Sequence, residues 1–506
     1  MKKEQNQNSK HSFGGGYLYN LLNKNIKEFK TIKLSIICIL FLITVGIISY
    51  KINNSYALFT DEVTGNKTIE LTPNTNLDTS GANPPILSSN MIPVYYDKNS
   101  SSWRKADENN KVKKYKWYNY DEKMWANSVT VSSTNRSKYL SASVGTEIPM
   151  DDILTMEVWV PRYKYKVFNY NSDGSITSSP KEIKIKWETG NQTTGEITCI
   201  NKVQGSNGDG TSETCKLNET NAVCTDDMCN DKYYTHPGFT FGDEELNGFW
   251  VGKFEITGTI SNITALPNNT PITNVIPASF YVKLKALNTA NNIYGFDSTV
   301  DTHMIKNMEW GAVSYLSHTK YGTCTKGVCT EIGINAKGSY NSSTAYQGQV
   351  TGCGNSPGSS PTTICNEYNK GGVIASTTFN IYGVYDMSGG DYEYTSATMV
   401  SPTADVYTVS PITTVPPVKY QDYYSYGTTD KDAASRKRGK LGDNSREMTN
   451  WYKDVNYQVF DFNDYYWLGR SCALDNGDLA GIFTYHRITA SGFTGGSSRL
   501  VISNNT

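Results

Sequence analysis

Histidine, which often carries catalysis or binds metals, occurs five times in this 506-residue chain. Its histidines form no H-x-x-H or H-E-x-x-H pair; they are His11, His236, His303, His318 and His486. Zinc proteases use that spacing to place two histidines on one helix face, so a zinc protease is not indicated. In the C-terminal part, Glu393, His486 and Arg487 are the groups that an enzyme could use. Their spacing along the chain does not predict that they share a pocket.

A five-residue motif resembles the nucleophile turn of serine hydrolases. Gly354–Gly358 reads G-N-S-P-G and matches G-x-S-x-G. In that turn the residue after the serine donates its backbone N–H to the oxyanion. Here this residue is Pro357, which has no N–H to donate. The motif therefore does not predict a hydrolase.

Ten cysteines indicate an oxidising compartment. Eight of them fall in close sequence pairs: Cys199 and Cys215, Cys224 and Cys229, Cys324 and Cys329, Cys353 and Cys365. This spacing predicts local disulfides in surface loops, with zinc binding by the two C-x4-C pairs as the alternative. Cys38 lies in an N-terminal apolar run. Cys472 is interpreted as a buried free thiol, or alternatively as an intermolecular link.

The N-terminal part predicts a membrane anchor. Residues 1–33 are polar and carry lysines, whereas residues 34–50 are apolar apart from Ser, Thr, Gly and Tyr. Positive flanks stay in the cytoplasm, so 1–33 is predicted to be cytoplasmic, 34–50 transmembrane, and the C-terminal bulk extracellular. The alternative is a signal-peptide core that is cleaved near Ala57, which would release the rest by secretion. Residues 51–90, rich in Pro, Asn, Ser and Thr, are predicted to be a spacer.

The remaining chain is predicted to form a small β unit at 91–150 and a larger domain at 151–506. The small unit contains Trp103, Trp117 and Trp125. Aromatic clusters of this density dominate core burial, so they predict a packed unit. A carbohydrate-stacking surface is the alternative interpretation.

Local patterns predict three elements in the larger domain. Alternation predicts a strand at Ile153–Phe168. The Asn247-Gly248 pair predicts the type I′ turn of a β-hairpin. Apolar residues at i, i+4 spacing predict a helix over Asp301–Gly322, capped by Asp301 or Thr302.

The stretch Ser376–Thr395 predicts a tight turn between aromatic residues. Gly389 and Gly390 would supply the positive φ angles that such a turn needs. Tyr392 and Tyr394 then alternate with Glu393, which is the pattern of a half-buried strand. Glu393 is expected either to reach solvent or to be buried with a partner.

Four segments carry a resemblance to a known family. Gly383–Gly389 followed by Glu393 looks like the core motif of the formylglycine-generating, or sulfatase-modifying-factor, family. Gly248–Thr257, Lys306–Val313 and Trp467–Cys472 are similar to further segments of that family, in the same order. The resemblance implies an α+β fold class. It implies a C-type-lectin-like (sulfatase-modifying-factor-like) domain with long loops, preceded by the transmembrane helix and the small β unit.

The chemistry of the resembled family is not expected here. Its oxidases bind copper through two cysteines near the C terminus, where this chain has only Cys472. A single thiolate cannot supply the paired soft ligation that copper(I) favours, so no catalytic residue and no cofactor are predicted. Whether calcium binds near Glu393 is left open, because Gly390 stands where the family usually has Asn.

The first functional hypothesis is a bacterial-type cell-surface protein whose non-catalytic domain binds an extracellular protein or glycan. The C-terminal part is rich in Tyr, Ser, Gly and Asn, the composition of antibody paratopes. The variable proteins of diversity-generating retroelements, which the resemblance includes, use the same region for ligands. The predicted ligand face consists of Tyr465, Tyr466, Trp467, Arg470, Asp475, Asn476, Asp478, Tyr485, His486 and Arg487.

Two other functions stay open from the sequence. One is an enzyme of the resembled family with altered chemistry, and the other is a structural or pilus-like surface component. Nucleic acid is not an expected partner, because the net charge of −1 creates no basic field that would attract it.

Overall fold

The computed structural model describes residues 76–166, 180–196, 233–335, 350–355, 366–400, 410–425, 441–444, 451–453, 466–471, 480–489 and 496–504. All of them belong to one unit, Asn74–Thr506. The strands are β1 (Ile92–Asp97), β2 (Ser102–Lys105), β3 (Asn127–Val131), β4 (Ile153–Pro161), β5 (Tyr163–Lys166), β6 (Ile185–Trp187), β7 (Tyr233–Thr235), β8 (Thr240–Phe241), β9 (Glu244–Glu245), β10 (Gly248–Gly252), β11 (Thr257–Thr259), β12 (Asn262–Thr264), β13 (Val300–Met304), β14 (Tyr392–Val400), β15 (Asp422–Ser425), β16 (Tyr466–Arg470), β17 (Tyr485–Thr489), β18 (Gly496–Ser498) and β19 (Leu500–Asn504). The helices are α1 (Ser133–Ser141), α2 (Pro277–Lys285) and α3 (Asn307–Ser317).

The expected α+β, C-type-lectin-like fold class is wrong for this chain. The described residues are mostly β, with three helices of 9, 9 and 11 residues. Helices this short depend on packing against strands for their stability, so short sequence motifs could not establish the balance of α and β. No helix in the described ranges is both long and apolar enough to cross a membrane. The fold therefore gives no support to a preceding transmembrane helix, and residues 34–50 lie outside the described ranges.

The larger sheet has seven strands in the order β13-β19-β10-β4-β3-β1-β2. All its pairs are antiparallel. Strands β1–β3 come from residues 91–150, and they continue the sheet that β4 and β10 begin. The predicted small β unit therefore does not precede the main sheet but contributes three of its strands. Trp159 of β4 and Trp250 of β10 lie opposite each other and form part of the core.

The second sheet positions the C-terminal segments. Its order is β15-β14-β16-β17, and β18 also pairs with β14. Strand β14 runs parallel to β15 and β18 but antiparallel to β16. Helices α2 and α3 both contact β14. The sheet thus joins segments that are far apart in the chain.

The helix predicted at Asp301–Gly322 begins later than expected. Asp301 and Thr302, the predicted caps, lie in β13, where Asp301 faces Ser503 of β19. Pairing with β19 overrides the helical spacing over this part of the chain. The helix proper begins after Lys306, whose backbone N–H donates to Glu309 at 2.8 Å.

Two strand predictions also need correction. The Asn247-Gly248 pair is not a hairpin turn, because β10 begins at Gly248 and pairs with β4 and β19. The turn lies instead between β8 and β9, where Gly242 has a φ of 68°.

The strand predicted at Ile153–Phe168 is two strands, β4 and β5, separated at Arg162. Phe168 lies outside the described residues.

The disulfide predicted between Cys324 and Cys329 is confirmed. Each of the other three predicted pairs contains at least one cysteine outside the described residues, and the interpretation of Cys472 also falls outside them.

Candidate functional site

The structure brings part of the predicted ligand face together on β16 and β17. These strands pair antiparallel, with Arg470 opposite Tyr485 and Gly469 opposite His486. Backbone pairing places Tyr466 and Arg487 in the same two strands. The four remaining predicted residues lie outside the described ranges; they are Tyr465, Asp475, Asn476 and Asp478.

The described side chains of this predicted face are buried. Trp467 and Arg470 are 0% exposed, Tyr485 is 1% exposed and His486 is 7% exposed. Trp467 and Arg470 lie on β16, an inner strand between β14 and β17, and Tyr485 and His486 lie on β17. None of these four side chains offers a ligand an exposed surface.

Arg470 links β16 to two other segments. Its Nε donates to Asn307 Oδ1 at 2.6 Å, and its other nitrogens donate to the backbone oxygens of Asp443 and Asn444. Its guanidinium carbon lies 5.3 Å from the centre of the Tyr485 ring. These contacts give the buried cation oxygen acceptors, and the charge of the Asp443 carboxyl favours its protonated form as well.

A groove lies beside the second sheet, between α2 and the proline-rich loop 411–417. Its volume is about 410 Å³. The lining residues are Tyr281, Val282, Lys285, Ala286, Thr289, Pro411, Ile412, Thr413, Thr414, Pro416 and Pro417. This volume is within the range of ligand-binding clefts, and the lining mixes apolar side chains and prolines with polar ones.

The groove is supported by the strand that was predicted to bind the ligand. The ring of Trp467 lies 6.4 Å from the ring of Tyr281, which lines the groove. At the rim, Lys285 Nζ lies 4.2 Å from the centre of the Tyr420 ring. Burial lowers the pKa of Lys285 from its ordinary value. Trp467 thus packs against Tyr281 and supports this wall of the groove.

A buried pair of charges joins the two sheets. Arg499 donates to both carboxylate oxygens of Glu393, to Gly252 O at 2.8 Å and to Tyr385 O at 2.9 Å. Of the two outcomes expected for Glu393, burial with a partner is the one that occurs. The positive φ angles predicted for Gly389 and Gly390 are confirmed at 72° and 77°.

Three more carboxyls are buried near this pair: Glu255, Asp386 and Asp391. The Asp391 backbone N–H donates to Glu255 Oε1 at 3.1 Å, while Asp386 accepts from Asn335 and from the Gly352 backbone. Burial, followed by mutual repulsion, raises the pKa of Glu255 and Asp391 well above the usual range. Such groups favour the protonated form, which removes most of the cost of burying a charge.

Glu393, near which calcium binding was left open, already has a cationic partner. Arg499 occupies both of its oxygens. In the described ranges, no three His, Cys, Asp or Glu side chains are arranged to hold a metal ion.

Sequence reasoning missed a histidine held between two carboxylates. His303 Nε2 lies 2.9 Å from Glu309 Oε1, and its Nδ1 lies 3.6 Å from Asp301 Oδ1. Burial alone would lower the pKa of His303, but the two acids together raise it. The ring is 1% exposed and stacks on Phe241, so this cluster lies in the core and away from solvent.

Sequence reasoning also missed α2 and therefore the groove. The signal was present: Pro277 at the helix start, followed by apolar residues at helical spacing that include Tyr281 and Leu284. The loop that forms the opposite wall has no regular pattern, so only the folded chain brings it against α2.

No protein-family model matches this chain. No curated protein matches it either. The family resemblance of the short motifs stays a prediction, and the groove is interpreted from its own geometry.

Proposed function

We propose that this protein is an extracytoplasmic, non-catalytic binding protein that holds an extended peptide segment of a partner protein in the groove between α2 and loop 411–417. The groove itself is the observation that supports the proposal. It is open to solvent and has both apolar and polar lining residues, which come from a helix and a loop that contact the second sheet.

The lining favours a peptide with an apolar residue. Val282 and Ala286 form one wall, and Ile412 lies deep in the other wall with 4% exposure. Pro411 and the other loop prolines have a fixed φ, which makes the wall rigid before a ligand arrives. A rigid wall lowers the entropy cost of binding.

The charge at the rim favours an acidic neighbour in that peptide. Lys285 is half-buried at the rim, and its ammonium group lies over the Tyr420 ring. A carboxylate of the ligand could pair with it in a partly desolvated position, where such a contact is stronger than on an open surface. The preferred ligand therefore combines an apolar residue with a nearby Asp or Glu.

The geometry favours binding over catalysis. Tyr281 and Lys285 are the titratable side chains among the groove-lining residues. An enzyme would need a general acid and base that converge on one position. The two buried pairs lie in the core, where His303 contacts Glu309 and Glu393 contacts Arg499.

The C-terminal strands have a supporting role in this proposal. Trp467 stabilises Tyr281 from behind, whereas Tyr466 and Arg487 stay predictions for direct contact with the ligand. The same holds for Tyr465, Asp475, Asn476 and Asp478.

A peptide selection tests the proposal. Random peptides displayed on phage are selected on the full chain, and the enriched peptides are synthesised and titrated. Val282→Trp fills the groove, so it should weaken their binding at least about tenfold, as loss of a central contact does. The matched control is Val328→Trp, since Val328 is 71% exposed in the disulfide loop. Equal binding to both variants would contradict the groove proposal.

The extracytoplasmic location has its own test. Protease added to intact cells should remove the described part of the chain. Full protection, in a sample where a known surface protein is cut, would contradict the location but not the groove.

A further inference from the structure

A small sheet away from the groove carries four lysines on one face. Strands β5, β6 and β7 form this sheet in the order β6-β5-β7. Lys164 of β5 lies directly opposite Lys186 of β6, and Lys166 N donates to Lys184 O. Cross-strand partners and residues two apart point to the same side of a sheet. The four lysine side chains therefore leave the sheet on one face, defined here as the lysine face.

This arrangement is unfavourable for the sheet by itself. Like charges directly opposite each other destabilise a strand pair. Lys184 Nζ lies 2.8 Å from a carboxylate oxygen of Glu182, which neutralises one of the charges. Lys164 donates instead to the backbone oxygen and hydroxyl of Thr194, which carry no charge. In the described structure Lys164 and Lys186 thus contact a threonine and a tyrosine ring, which are neutral, and a bound anion would supply the opposite charge.

An aromatic ring lies within the same face. Tyr233 of β7 is opposite Lys166, and its ring centre lies 4.4 Å from Lys186 Nζ. Lys184 and Lys186 are exposed, and Tyr233 is half-buried. Cations beside a partly exposed ring combine charge recognition with a surface on which a sugar can stack.

We infer that the lysine face binds an anionic polysaccharide, with a carboxylate or sulfate on its sugars. The strands set the Cβ atoms of these lysines in two rows about 5 Å apart, with successive lysines about 7 Å apart along each strand. A linear polyanion lies along this face and contacts several lysines at once. Its gain in free energy comes from the release of counterions.

Two other polyanions fit the face less well. A nucleic acid is steered by a strongly basic protein, and this chain has a net charge of −1. An anionic membrane is bound by basic surfaces that also insert apolar side chains. The lysine face presents lysines and one tyrosine.

The test measures binding of the full chain to immobilised heparin and polygalacturonate, with neutral dextran as a blank. Lys184→Gln combined with Lys186→Gln should weaken binding to at least one of the two polyanions about tenfold. It should also reduce the slope of log affinity against log salt by about two.

The matched control is Lys113→Gln combined with Lys114→Gln. These lysines are exposed, and Lys114 Nζ lies 5.1 Å from the Tyr115 ring centre. The control pair therefore matches Lys184 and Lys186 in charge and in contact with a tyrosine ring. They lie in a 3-10 helix and not on paired strands. The control should change affinity less than twofold. Lys186→Arg keeps the charge and should bind like the wild type. Normal binding by this variant would show that the glutamine variant binds weakly because it lacks the charge and not because it misfolds.

Three results would overturn the inference. One is the absence of binding to both polyanions, and another is an equal loss in the control pair. The third is binding of single-stranded DNA or phosphatidylglycerol vesicles that is as tight as heparin binding and is weakened equally by the paired substitution.

Discussion

Two buried glutamates, one in each large sheet, meet the cost of burial in different ways. Glu393 of β14 is contacted at both oxygens by Arg499, a geometry that suits an ionised carboxylate. Glu157 of β4 accepts from the Ser128 hydroxyl at 3.0 Å, and its Oε1 has no hydrogen-bond partner in the described structure. Burial raises the pKa of Glu157 to about 7.

A charged partner does not by itself restore the ordinary pKa of a buried carboxyl. Burial raises the pKa of Glu393 to about 7, although the Arg499 guanidinium opposes that rise. For Glu157, whose pKa is raised to a similar value, the opposing contacts are hydroxyls, which stabilise an anion less than a cation does. Both carboxyls therefore titrate near neutral pH, but Glu393 has a cationic partner whereas Glu157 has hydroxyl partners.

The largest expected effect on stability comes from removing Arg499, the partner of Glu393. Arg499→Leu leaves the carboxylate buried without a cation and should lower the free energy of unfolding by about 3–5 kcal/mol. Urea unfolding measures it. Arg104→Leu is the control, because Arg104 pairs with Asp97 and Glu147 near the surface and should cost about 1 kcal/mol or less. Similar losses in both variants would show that the buried pair has no special role.

The second-largest expected effect is the change in stability with pH that Glu157 causes. The folded-state pKa of Glu157 lies above its unfolded value, so the folded protein holds this proton more tightly. Its contribution to stability is present below about pH 4.5 and is lost as pH rises through about 7. Glu157→Gln should therefore stabilise the protein relative to wild type by on the order of 2–3 kcal/mol at pH 8, and by much less at pH 5.

Melting curves of both proteins across this pH range provide the measurement. The glutamine amide of the Glu157→Gln variant does not titrate, so a difference from wild type that is constant with pH would contradict the assignment of the titration to Glu157. Ser128→Ala is a useful comparison, because it removes the hydroxyl contact but keeps the carboxyl.

A smaller effect is expected at Arg470. Arg470→Leu removes the donor to Asn307 and to the backbone oxygens of Asp443 and Asn444, and should cost about 2 kcal/mol of stability. The loss should be smaller than for Arg499→Leu, because Arg499 donates to both oxygens of one buried carboxylate. Thermal unfolding measures it. A variant that melts like the wild type but no longer binds the selected peptides would restore Arg470 to the ligand face.

The smallest expected effect is a gain on the lysine face. Lys186→Gln removes one of two like charges that lie directly opposite each other, so stability should rise by about 0.5 kcal/mol at low salt. The gain should fade as salt screens the charges. An equal gain at high salt would mean that the repulsion between Lys164 and Lys186 is not its cause.

Short-range features of this protein followed from the sequence alone. Gly389 and Gly390 adopt positive φ because residues without a Cβ do so at little cost, and the alternation after them gives β14. The Cys324–Cys329 disulfide likewise follows from two cysteines five positions apart. In each case the determining atoms lie within a few residues of one another.

The tertiary structure alone decided which groups meet across long distances. Glu393 and Arg499 are 106 residues apart, and Arg470 and Asn307 are 163 apart. Pairing with β19 made Val300–Met304 a strand where helical spacing predicted a helix. Trp467, Arg470 and Tyr485 are interior for the same reason: strand pairing and burial depend on partners that only the folded chain supplies, and these outweigh local propensity.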